Sequence, residues 1–195
     1  MSIYSLLSLK GGVGKTTSTM HLAMCAHEAG QPVTVIDADD EKSAYRWSTF
    51  TELPFKVVVA ERDRLAQQAK TLESAGETVF IDTPPNSWEV LTRTAFVSSS
   101  VIVPLIPTGL GMDRMMPTLE LLRDVEASRG SLDVAILLNR WDGRERLAQE
   151  ALGALAAYPI LEAKIRALTR YEQAFGAEPS DLGEYRAVWQ EVQGG

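Results

Sequence analysis

A single cysteine, Cys25, is present among the 195 residues of the chain. One cysteine cannot form a disulfide within the chain, and it excludes a zinc or iron–sulfur site built from several cysteines of one chain. No apolar run is long enough to span a membrane, and the N-terminus lacks a basic region followed by a cleavage site. We therefore expect a cytoplasmic protein without a membrane anchor.

Positive charge is also scarce, because 19 lysines and arginines stand against 26 aspartates and glutamates, which gives a net charge of −7. This balance disfavours a protein whose main role is to coat nucleic acid, although it leaves room for a local basic patch. The apolar share of 45% and the charged share of 23% are ordinary for a globular chain. With no internal repeat and no linker-like stretch, the length predicts one domain over residues 1–195.

The sequence alternates short, nearly continuous apolar runs with longer amphipathic segments. The short runs predict strands at 2–8, 32–37, 55–59, 78–82, 100–106 and 132–138. The longer segments predict helices at 15–29, 42–51, 61–75, 87–97, 112–128, 144–156 and 181–192. This alternation predicts an α/β fold, in which a mostly parallel, twisted sheet carries helices on both faces. Such folds bind ligands beyond the carboxyl ends of their strands.

A glycine-rich segment, LKGGVGKTT at residues 9–17, lies between the first predicted strand and the first predicted helix. It fits the phosphate-loop pattern G-x-x-x-x-G-K-[ST] only if the first position is relaxed, because Leu9 stands where glycine is usual. Glycines let backbone N–H groups converge on phosphate oxygens, and the helix presents its positive N-terminal end to them. We expect Lys15 to reach the β- and γ-phosphates of a nucleotide and the Thr16 hydroxyl to bind Mg²⁺.

Carboxylates follow two of the predicted strands, with Asp37, Asp39 and Asp40 after the second strand and Asp82 after the fourth. Beside a phosphate loop, such carboxylates can hold the waters around Mg²⁺ or orient an attacking water. Two simpler interpretations stay open at this point. Asp39 or Asp40 would serve equally well as a helix N-cap, and Asp82 as an ordinary turn residue.

The segment KGGVGKTT resembles the deviant Walker A motif of the ParA/MinD family of P-loop ATPases, and the resemblance covers most of the chain. It implies a single-domain P-loop NTPase fold with ATP and Mg²⁺ as cofactors. It also implies a homodimer that forms on ATP binding, in which Lys10 reaches the phosphates of the partner. The alternative is that Lys10 is a solvated lysine in a turn. The nucleotide-binding residues implied by the motif are Lys10, Gly11, Gly12, Val13, Gly14, Lys15, Thr16 and Thr17.

The carboxylates match two further elements of this family. Asp37-Ala38-Asp39 looks like the element D-x-D-P-Q, which implies that Asp39 positions the hydrolytic water and that Asp37 supports the metal shell. Asp40 and Glu41 stand where the family has Pro-Gln. The stretch DTPP at residues 82–85 matches the Walker B element, which implies that Asp82 contacts the Mg²⁺ shell. The implied catalytic residues are therefore Lys10, Lys15 and Asp39, and the implied metal residues are Thr16, Asp37 and Asp82.

Two segments bear on the nucleotide base. The stretch NRWD at residues 139–142 has the spacing of the guanine-reading motif of GTPases, whereas DGR at residues 142–144 looks like the D-x-R of ParA proteins. Because the phosphate loop resembles that of adenine-specific relatives, we expect ATP, with Asn139 near the base edge. Pro107 stands where family members place an adenine loop, although the following TGLG departs from their T-P-x-P pattern.

A cluster of cations lies in an otherwise acidic chain, and residues 164–176 resemble the segment that binds DNA non-specifically in this family. An ordinary solvated face is the alternative on charge alone. The terminal segment carries little positive charge, so we expect no MinD-like membrane anchor. The candidate DNA-binding residues are Arg140, Arg144, Arg146, Lys164, Arg166 and Arg170.

The resemblance as a whole implies a short ParA-type ATPase for plasmid or chromosome partition. Its ATP-bound dimer would bind non-specific DNA and associate with the nucleoid, and a centromere-binding, ParB-like partner would stimulate hydrolysis. A second interpretation is a related ATPase that positions a protein cargo, such as a microcompartment or a chemoreceptor cluster. A third is an ATP-dependent metabolic synthetase, which Lys10 disfavours because that lysine serves a homodimer.

Overall fold

The computed structural model describes residues 2–144, 150, 153, 155 and 158–194. Six strands form one sheet, in the order β3-β2-β4-β1-β5-β6, and all adjacent strands are parallel. The α/β fold with a parallel sheet is therefore confirmed. The strands are β1 (Ile3–Leu6), β2 (Val33–Asp37), β3 (Lys56–Val59), β4 (Thr78–Asp82), β5 (Ser100–Leu105) and β6 (Asp133–Leu138).

Helices connect these strands, and a further two lie near the C-terminus. They are α1 (Lys15–Glu28), α2 (Ser43–Phe50), α3 (Leu65–Ser74), α4 (Trp88–Val97), α5 (Gly109–Arg129), α6 (Thr169–Glu172) and α7 (Tyr185–Gly194). The helix predicted at 144–156 falls largely on residues outside the described part of the chain. No helix in the described part is long and apolar enough to cross a membrane.

Three helices begin several residues away from their predicted starts, and one further helix was not predicted. Helix α3 begins at Leu65 and not at residue 61, after a short 3₁₀ turn at Arg62–Arg64. Helix α5 begins at Gly109 and not at residue 112, because the Thr108 side chain caps it by accepting a hydrogen bond from the Gly111 N–H at 3.0 Å. Helix α7 begins at Tyr185 and not at residue 181, and Gly183 just before it has a positive φ of 43°. The short helix α6 was not predicted, and it lies inside the segment assigned to DNA binding.

Helices cover both faces of the sheet, as the continuous apolar strands predict. Side chains of β4 alternate between the faces, with Phe80 packed in a cluster with α1, α2 and α7, and Val79 and Ile81 packed in a cluster with α3. Helices α4 and α5 complete the second face. Cys25 of α1 is buried in the first cluster.

The strand register sets the position of the candidate site. Asp37 and Asp82, the last residues of β2 and β4, are direct partners across the sheet, and Leu6 at the end of β1 pairs with Asp82 on its other side. The segment that follows β1 therefore starts beside both carboxylates. Burying a carboxylate without partners is costly, so these strand ends must be served by groups from the connecting segments.

Candidate nucleotide-binding site

The glycine-rich loop turns sharply before α1. Gly12 and Gly14 have positive φ values of 73° and 91°, which favour glycine, and Gly14 occupies the N-cap of α1 without a side-chain cap. The first N–H groups of a helix have no partner within the helix. Gly11 and Gly12 are exposed, so the loop opens to solvent with these amides beside it. Such an arrangement binds anions, phosphate above all.

Lys15 crosses the loop that it terminates. Its ammonium donates a hydrogen bond to the Lys10 carbonyl at 3.1 Å, and the residue is 7% exposed. Burial lowers the pKa of the Lys15 ammonium, whereas the neighbouring carboxylates of Asp82 and Asp39 raise it. The buried Lys15 ammonium is thus bonded to one carbonyl of the loop, at a position where phosphate oxygens could replace that carbonyl as its acceptor.

Thr16 contacts the carboxylate at the end of β4. Its hydroxyl donates to Asp82 Oδ2 at 2.6 Å, and Thr19 lies at 3.5 Å from Asp82 Oδ1. Asp82 is completely buried. Burial raises the pKa of Asp82 and the Thr16 hydrogen bond opposes it, while the nearby Asp37 carboxylate raises it further.

These oxygen donors fit Mg²⁺, which in nucleotide sites is held by one or two carboxylates together with phosphates and water. The described residues contain no group of three or more His, Cys, Asp or Glu side chains that could hold a metal by themselves. The protein therefore offers a partial Mg²⁺ shell, with the Thr16 hydroxyl and the Asp82 carboxylate adjacent. A nucleotide would have to complete it.

Asp37 organises the turn that follows β2. Its Oδ1 accepts a hydrogen bond from the Asp39 N–H at 3.0 Å, and its Oδ2 accepts one from the Tyr45 N–H, in the first turn of α2, at 2.8 Å. Burial is the main cause that raises the pKa of Asp37, and these hydrogen bonds lower it. Both oxygens of Asp37 are thus engaged by backbone.

Asp39 is half-buried and lies in the same turn. Its Oδ1 accepts a hydrogen bond from the Glu41 N–H at 3.0 Å. The N-cap of α2 is Lys42, with φ of 52° and no side-chain cap in the described chain, so neither Asp39 nor Asp40 occupies that position. Asp40 and Glu41 are exposed on this turn.

Lys10 lines a different space from Lys15. A wide cavity of about 730 Å³ separates the start of the loop from the first turns of α4 and α5. Trp88, which is 52% exposed, forms part of its wall. Within one chain, the Lys15 ammonium is thus buried in the loop, whereas Lys10 lines this cavity. The residues lining this cavity are Leu9, Lys10, Gly11, Asn86, Trp88, Asp113, Arg114 and Pro117.

A smaller cavity of about 180 Å³ adjoins the other end of the loop. Its wall includes the segment after residue 160, which runs parallel to β6 through hydrogen bonds from Ile165 N–H to the Leu138 carbonyl and from Trp141 N–H to the Ile165 carbonyl. Such a cavity beside a phosphate loop suits a nucleoside. Its lining residues are Val13, Gly14, Thr17, Asn139, Arg140, Ile165, Arg166, Ala167, Leu168, Tyr171 and Tyr185.

Asn139 lies between this cavity and the loop. Its amide Nδ2 donates to the Val13 carbonyl at 2.9 Å and lies at 3.3 Å from the Ser18 hydroxyl, which in turn contacts the Tyr185 hydroxyl at 3.0 Å. Asn139 Oδ1 is buried and has no hydrogen-bond partner among the described residues. The residue therefore supports the loop backbone, a role that the sequence motif did not reveal, and keeps an acceptor unused.

Pro107 is buried and does not line the cavity of about 180 Å³, and its role in binding a base stays a prediction. Leu168 and Tyr171, which belong to the segment 164–176, line this cavity together with Tyr185 of α7. The sequence motifs gave no signal for this contact, because it depends on how distant segments pack.

Three of the candidate DNA-binding cations pair with acidic side chains. Arg166 contacts Glu184, and Arg170 contacts Asp181 at 3.1 Å and Glu184 at 2.9 Å. The remaining members differ in their surroundings. Arg144 pairs with Asp142 at 2.7 Å, Lys164 lies over the Trp141 ring, Arg140 and Arg166 line the small cavity, and Arg146 lies outside the described residues. DNA binding by this set stays a prediction.

A glycine-rich loop that ends in Gly14-Lys15-Thr16, between β1 and α1 of a parallel sheet, is the arrangement of the class of P-loop nucleotide-binding proteins. Residues 4–177 match the family described as the CobQ/CobB/MinD/ParA nucleotide binding domain (CbiA), and the chain belongs to this family. The resemblance read from the loop is thereby confirmed at the level of the family.

Individual relatives differ in their named roles. Protein ParA of Rhizobium radiobacter is 25% identical over 129 residues, which cover 65% of this chain and 58% of that protein. The chain thus spans less than two thirds of that relative. The maintenance of carboxysome distribution protein A of Gloeobacter kilaueensis is 32% identical over 178 residues, which cover 88% of this chain and 80% of that protein.

A solved structure shares the fold. Cobyrinic acid a,c-diamide synthase from Mycobacterium smegmatis, with bound ATP analog and magnesium, matches with a TM-score of 0.76. The identity is 20%, and the match covers 99% of this chain and 94% of that chain. At this identity the likeness speaks for the fold alone.

The geometry of Gly14 generates a first prediction. A Cβ at Gly14 would lie 2.7 Å from Asn139 Nδ2, on a residue whose φ is 91°. A Cβ at Gly30 would meet nothing within 4 Å, at a similar φ of 82°. We expect Gly30→Ala to lower the free energy of unfolding by about 1–2 kcal/mol through backbone strain alone. Gly14→Ala should lower it further, because it also displaces Asn139 from the Val13 carbonyl. Urea unfolding of both variants measures the difference, and equal losses would contradict the role given to Asn139.

Proposed function

We propose that this protein is an ATPase that dimerises when it binds ATP and acts in the partition of plasmids or chromosomes. The observation that carries the proposal is that the two lysines of the phosphate loop have different surroundings. Lys15 is buried inside the loop, whereas Lys10 faces the separate cavity beside α4 and α5. Lys15 is already placed to serve a nucleotide bound by its own chain. Lys10, which lines another cavity, is therefore available to a nucleotide bound by a second copy.

The loop residues 10–17 bind the phosphates of ATP in this proposal. The open glycine backbone and the unpaired amides at the start of α1 face the phosphates, and Lys15 exchanges the Lys10 carbonyl for phosphate oxygens. Thr16 and Asp82 hold Mg²⁺, with Asp37 shaping the same edge of the sheet. When bound, Mg²⁺ supplies positive charge that offsets the charge of the phosphates. The Mycobacterium structure shows that a protein of this fold can hold an ATP analog and magnesium together.

The adenosine moiety occupies the cavity of about 180 Å³ in this proposal. Tyr171, Tyr185 and Leu168 supply apolar and aromatic wall, and the unused Oδ1 of Asn139 supplies an acceptor for an N–H of the base. A buried acceptor without a partner costs free energy, which a base hydrogen bond would recover.

Asp39 orients the hydrolytic water in this proposal. Its carboxylate lies on the turn beyond β2, near enough to the buried ammonium to oppose the lowering of the Lys15 pKa by burial. One oxygen accepts the Glu41 N–H, which fixes the direction of the carboxylate. A carboxylate held in this way can accept a proton or a hydrogen bond from water beside the phosphates.

Lys10 acts on the nucleotide of a partner copy. It would place positive charge against phosphates that develop charge during transfer, as an arginine finger does. In the partition role that we propose for this dimer, two copies double the basic residues available to DNA, and a ParB-like protein on the centromere stimulates hydrolysis and release.

A second candidate is the positioning of a protein cargo with the same chemistry. It is favoured by the 32% identity to the carboxysome distribution protein, which covers 88% of this chain. Acidic partners of Arg166 and Arg170 also weaken the case for DNA. A metabolic synthetase shares the fold. In such an enzyme, however, Lys10 would have no evident role, because it lies outside the proposed nucleotide cavity.

The lysines generate the next prediction. Lys10→Ala should bind ATP with nearly unchanged affinity, because Lys15 and the loop amides are retained. It should stay monomeric in sedimentation with Mg²⁺ and a non-hydrolysable ATP analogue, where the wild type dimerises. Lys15→Ala is the control, since it should abolish ATP binding in calorimetry. A Lys10→Ala protein that dimerises like the wild type would rule out action on a partner.

Hydrolysis should depend on Asp39 and not on its exposed neighbour. We expect Asp39→Ala to slow phosphate release by about 100-fold, because the water loses its orienting carboxylate. The ATP-bound dimer of this variant should persist. Asp40→Ala removes a carboxylate from the same turn and should leave turnover within about threefold of the wild type. If both variants hydrolyse ATP equally fast, Asp39 only shapes the turn.

DNA binding separates the two candidate functions. Replacing Arg166 and Arg170 by Glu should weaken ATP-dependent binding of duplex DNA by about tenfold or more, for every sequence tested and most visibly at low salt. The matched control replaces Arg64 and Lys70 of the α3 region by Glu, which changes the net charge equally. Dimerisation is measured in both variants. Wild-type protein that retains no duplex DNA with ATP at low salt would favour a protein cargo.

A further inference from the structure

The entrance of the phosphate loop is anchored at Leu9, the position where glycine is usual. The Leu9 side chain is 8% exposed and packs in the cluster formed with α4 and α5. Its carbonyl accepts a hydrogen bond from the Asn86 N–H at 3.1 Å. Its own N–H donates to the Thr118 hydroxyl oxygen, also at 3.1 Å. Side chain, donor and acceptor of Leu9 are thus all engaged.

Thr118 reaches this point from the middle of α5. It is completely buried, and 109 residues of chain separate it from Leu9. The preceding residue, Pro117, lines the cavity of Lys10. A buried backbone N–H needs an acceptor. For the Leu9 N–H that acceptor is the Thr118 hydroxyl of α5, a helix far from the loop in sequence.

Leu9, the anchored residue, immediately precedes Lys10. The backbone of Lys10 matters to both lysines of the loop, because it carries the Lys10 side chain and also bonds the Lys15 ammonium. The Lys10 carbonyl accepts the hydrogen bond of the Lys15 ammonium, and the Lys10 N–H donates to the Ser8 hydroxyl at 3.2 Å. The Leu9 N–H that Thr118 holds belongs to the Ser8–Leu9 peptide, and the next peptide is held at the Leu9 carbonyl by the Asn86 N–H and at the Lys10 N–H by the Ser8 hydroxyl. Thr118 therefore fixes the first of two successive peptides that lead into Lys10, and the direction of this backbone determines where the Lys10 side chain and carbonyl lie.

We propose that Thr118 is a positioning residue for the phosphate loop: its hydroxyl holds the Leu9–Lys10 segment against α5, so that Lys10 is presented to a partner copy. This inference rests on the proposed nucleotide-dependent dimer. It adds that α5, which contributes to the wall of the Lys10 cavity, also determines the placement of the lysine inside it.

Three substitutions test the anchor. Thr118→Val keeps the shape of the side chain and removes the hydroxyl, whereas Thr118→Ser keeps the hydroxyl. Thr94→Val is the matched control, because the Thr94 hydroxyl is buried in α4 and has no hydrogen-bond partner among the described residues. Urea unfolding of all three proteins establishes that each is folded under the conditions used.

The first measurement is hydrogen exchange of the amides of residues 8–12 without nucleotide. Losing the acceptor of a buried N–H should speed exchange in Thr118→Val by about fivefold or more. Thr118→Ser and Thr94→Val should exchange within about twofold of the wild type. Unchanged exchange in Thr118→Val would overturn the inference, since the hydroxyl would then hold nothing.

The second measurement is sedimentation with Mg²⁺ and a non-hydrolysable ATP analogue. Thr118→Val should need about tenfold more protein for half-dimerisation, which is the effect of about 1.4 kcal/mol, while Thr118→Ser should associate nearly as the wild type does. Faster exchange together with unchanged association would overturn the positioning of Lys10. Wild-type protein that binds ATP but never associates would instead overturn the proposed dimer, and the exchange result would tell the two failures apart.

Discussion

The burial of the Asp82 carboxylate is the constraint on which the site depends. The strand register places Asp82 beside Asp37, and burial raises its pKa. A carboxylate at this depth needs donors, which Thr16 and Thr19 supply from the first turns of α1. The start of α1 is therefore tied to the end of β4. The loop between β1 and α1 has to bridge that short gap, and positive φ values at Gly12 and Gly14 allow it to do so.

Most of the fold could be predicted from the sequence, because buried parallel strands are continuous apolar runs and their carboxyl ends coincide with Asp37 and Asp82. The loop was recognisable from its glycines and Lys15-Thr16. What could not be predicted depends on contacts between distant residues. Neither the pairing of Arg166 with Glu184 nor the aromatic wall of the small cavity leaves a periodic signal. The start of α7 was missed because Asp181 and Glu184, on either side of Gly183, resemble the acidic first turn of a helix.

Asn139 shows that a sequence motif can predict one role of a residue and miss another. The spacing of NRWD indicates a base-reading position, and the buried Oδ1 is compatible with that. The amide group of the same side chain supports the Val13 carbonyl and touches Ser18, which contacts Tyr185 of α7. One side chain thus joins the phosphate loop, β6 and the C-terminal helix, so the two ends of the proposed nucleotide site share a support.

The burial of Cys25 has a practical consequence. The residue is 4% exposed, and burial raises the pKa of its thiol to about 12, so almost no thiolate forms at neutral pH. Maleimides and other thiol reagents should therefore react only very slowly with Cys25 in the folded protein. A fluorophore attached to one cysteine introduced on the surface would report on a single defined position. The distance between two protomers could then be followed by energy transfer, with the native cysteine left in place.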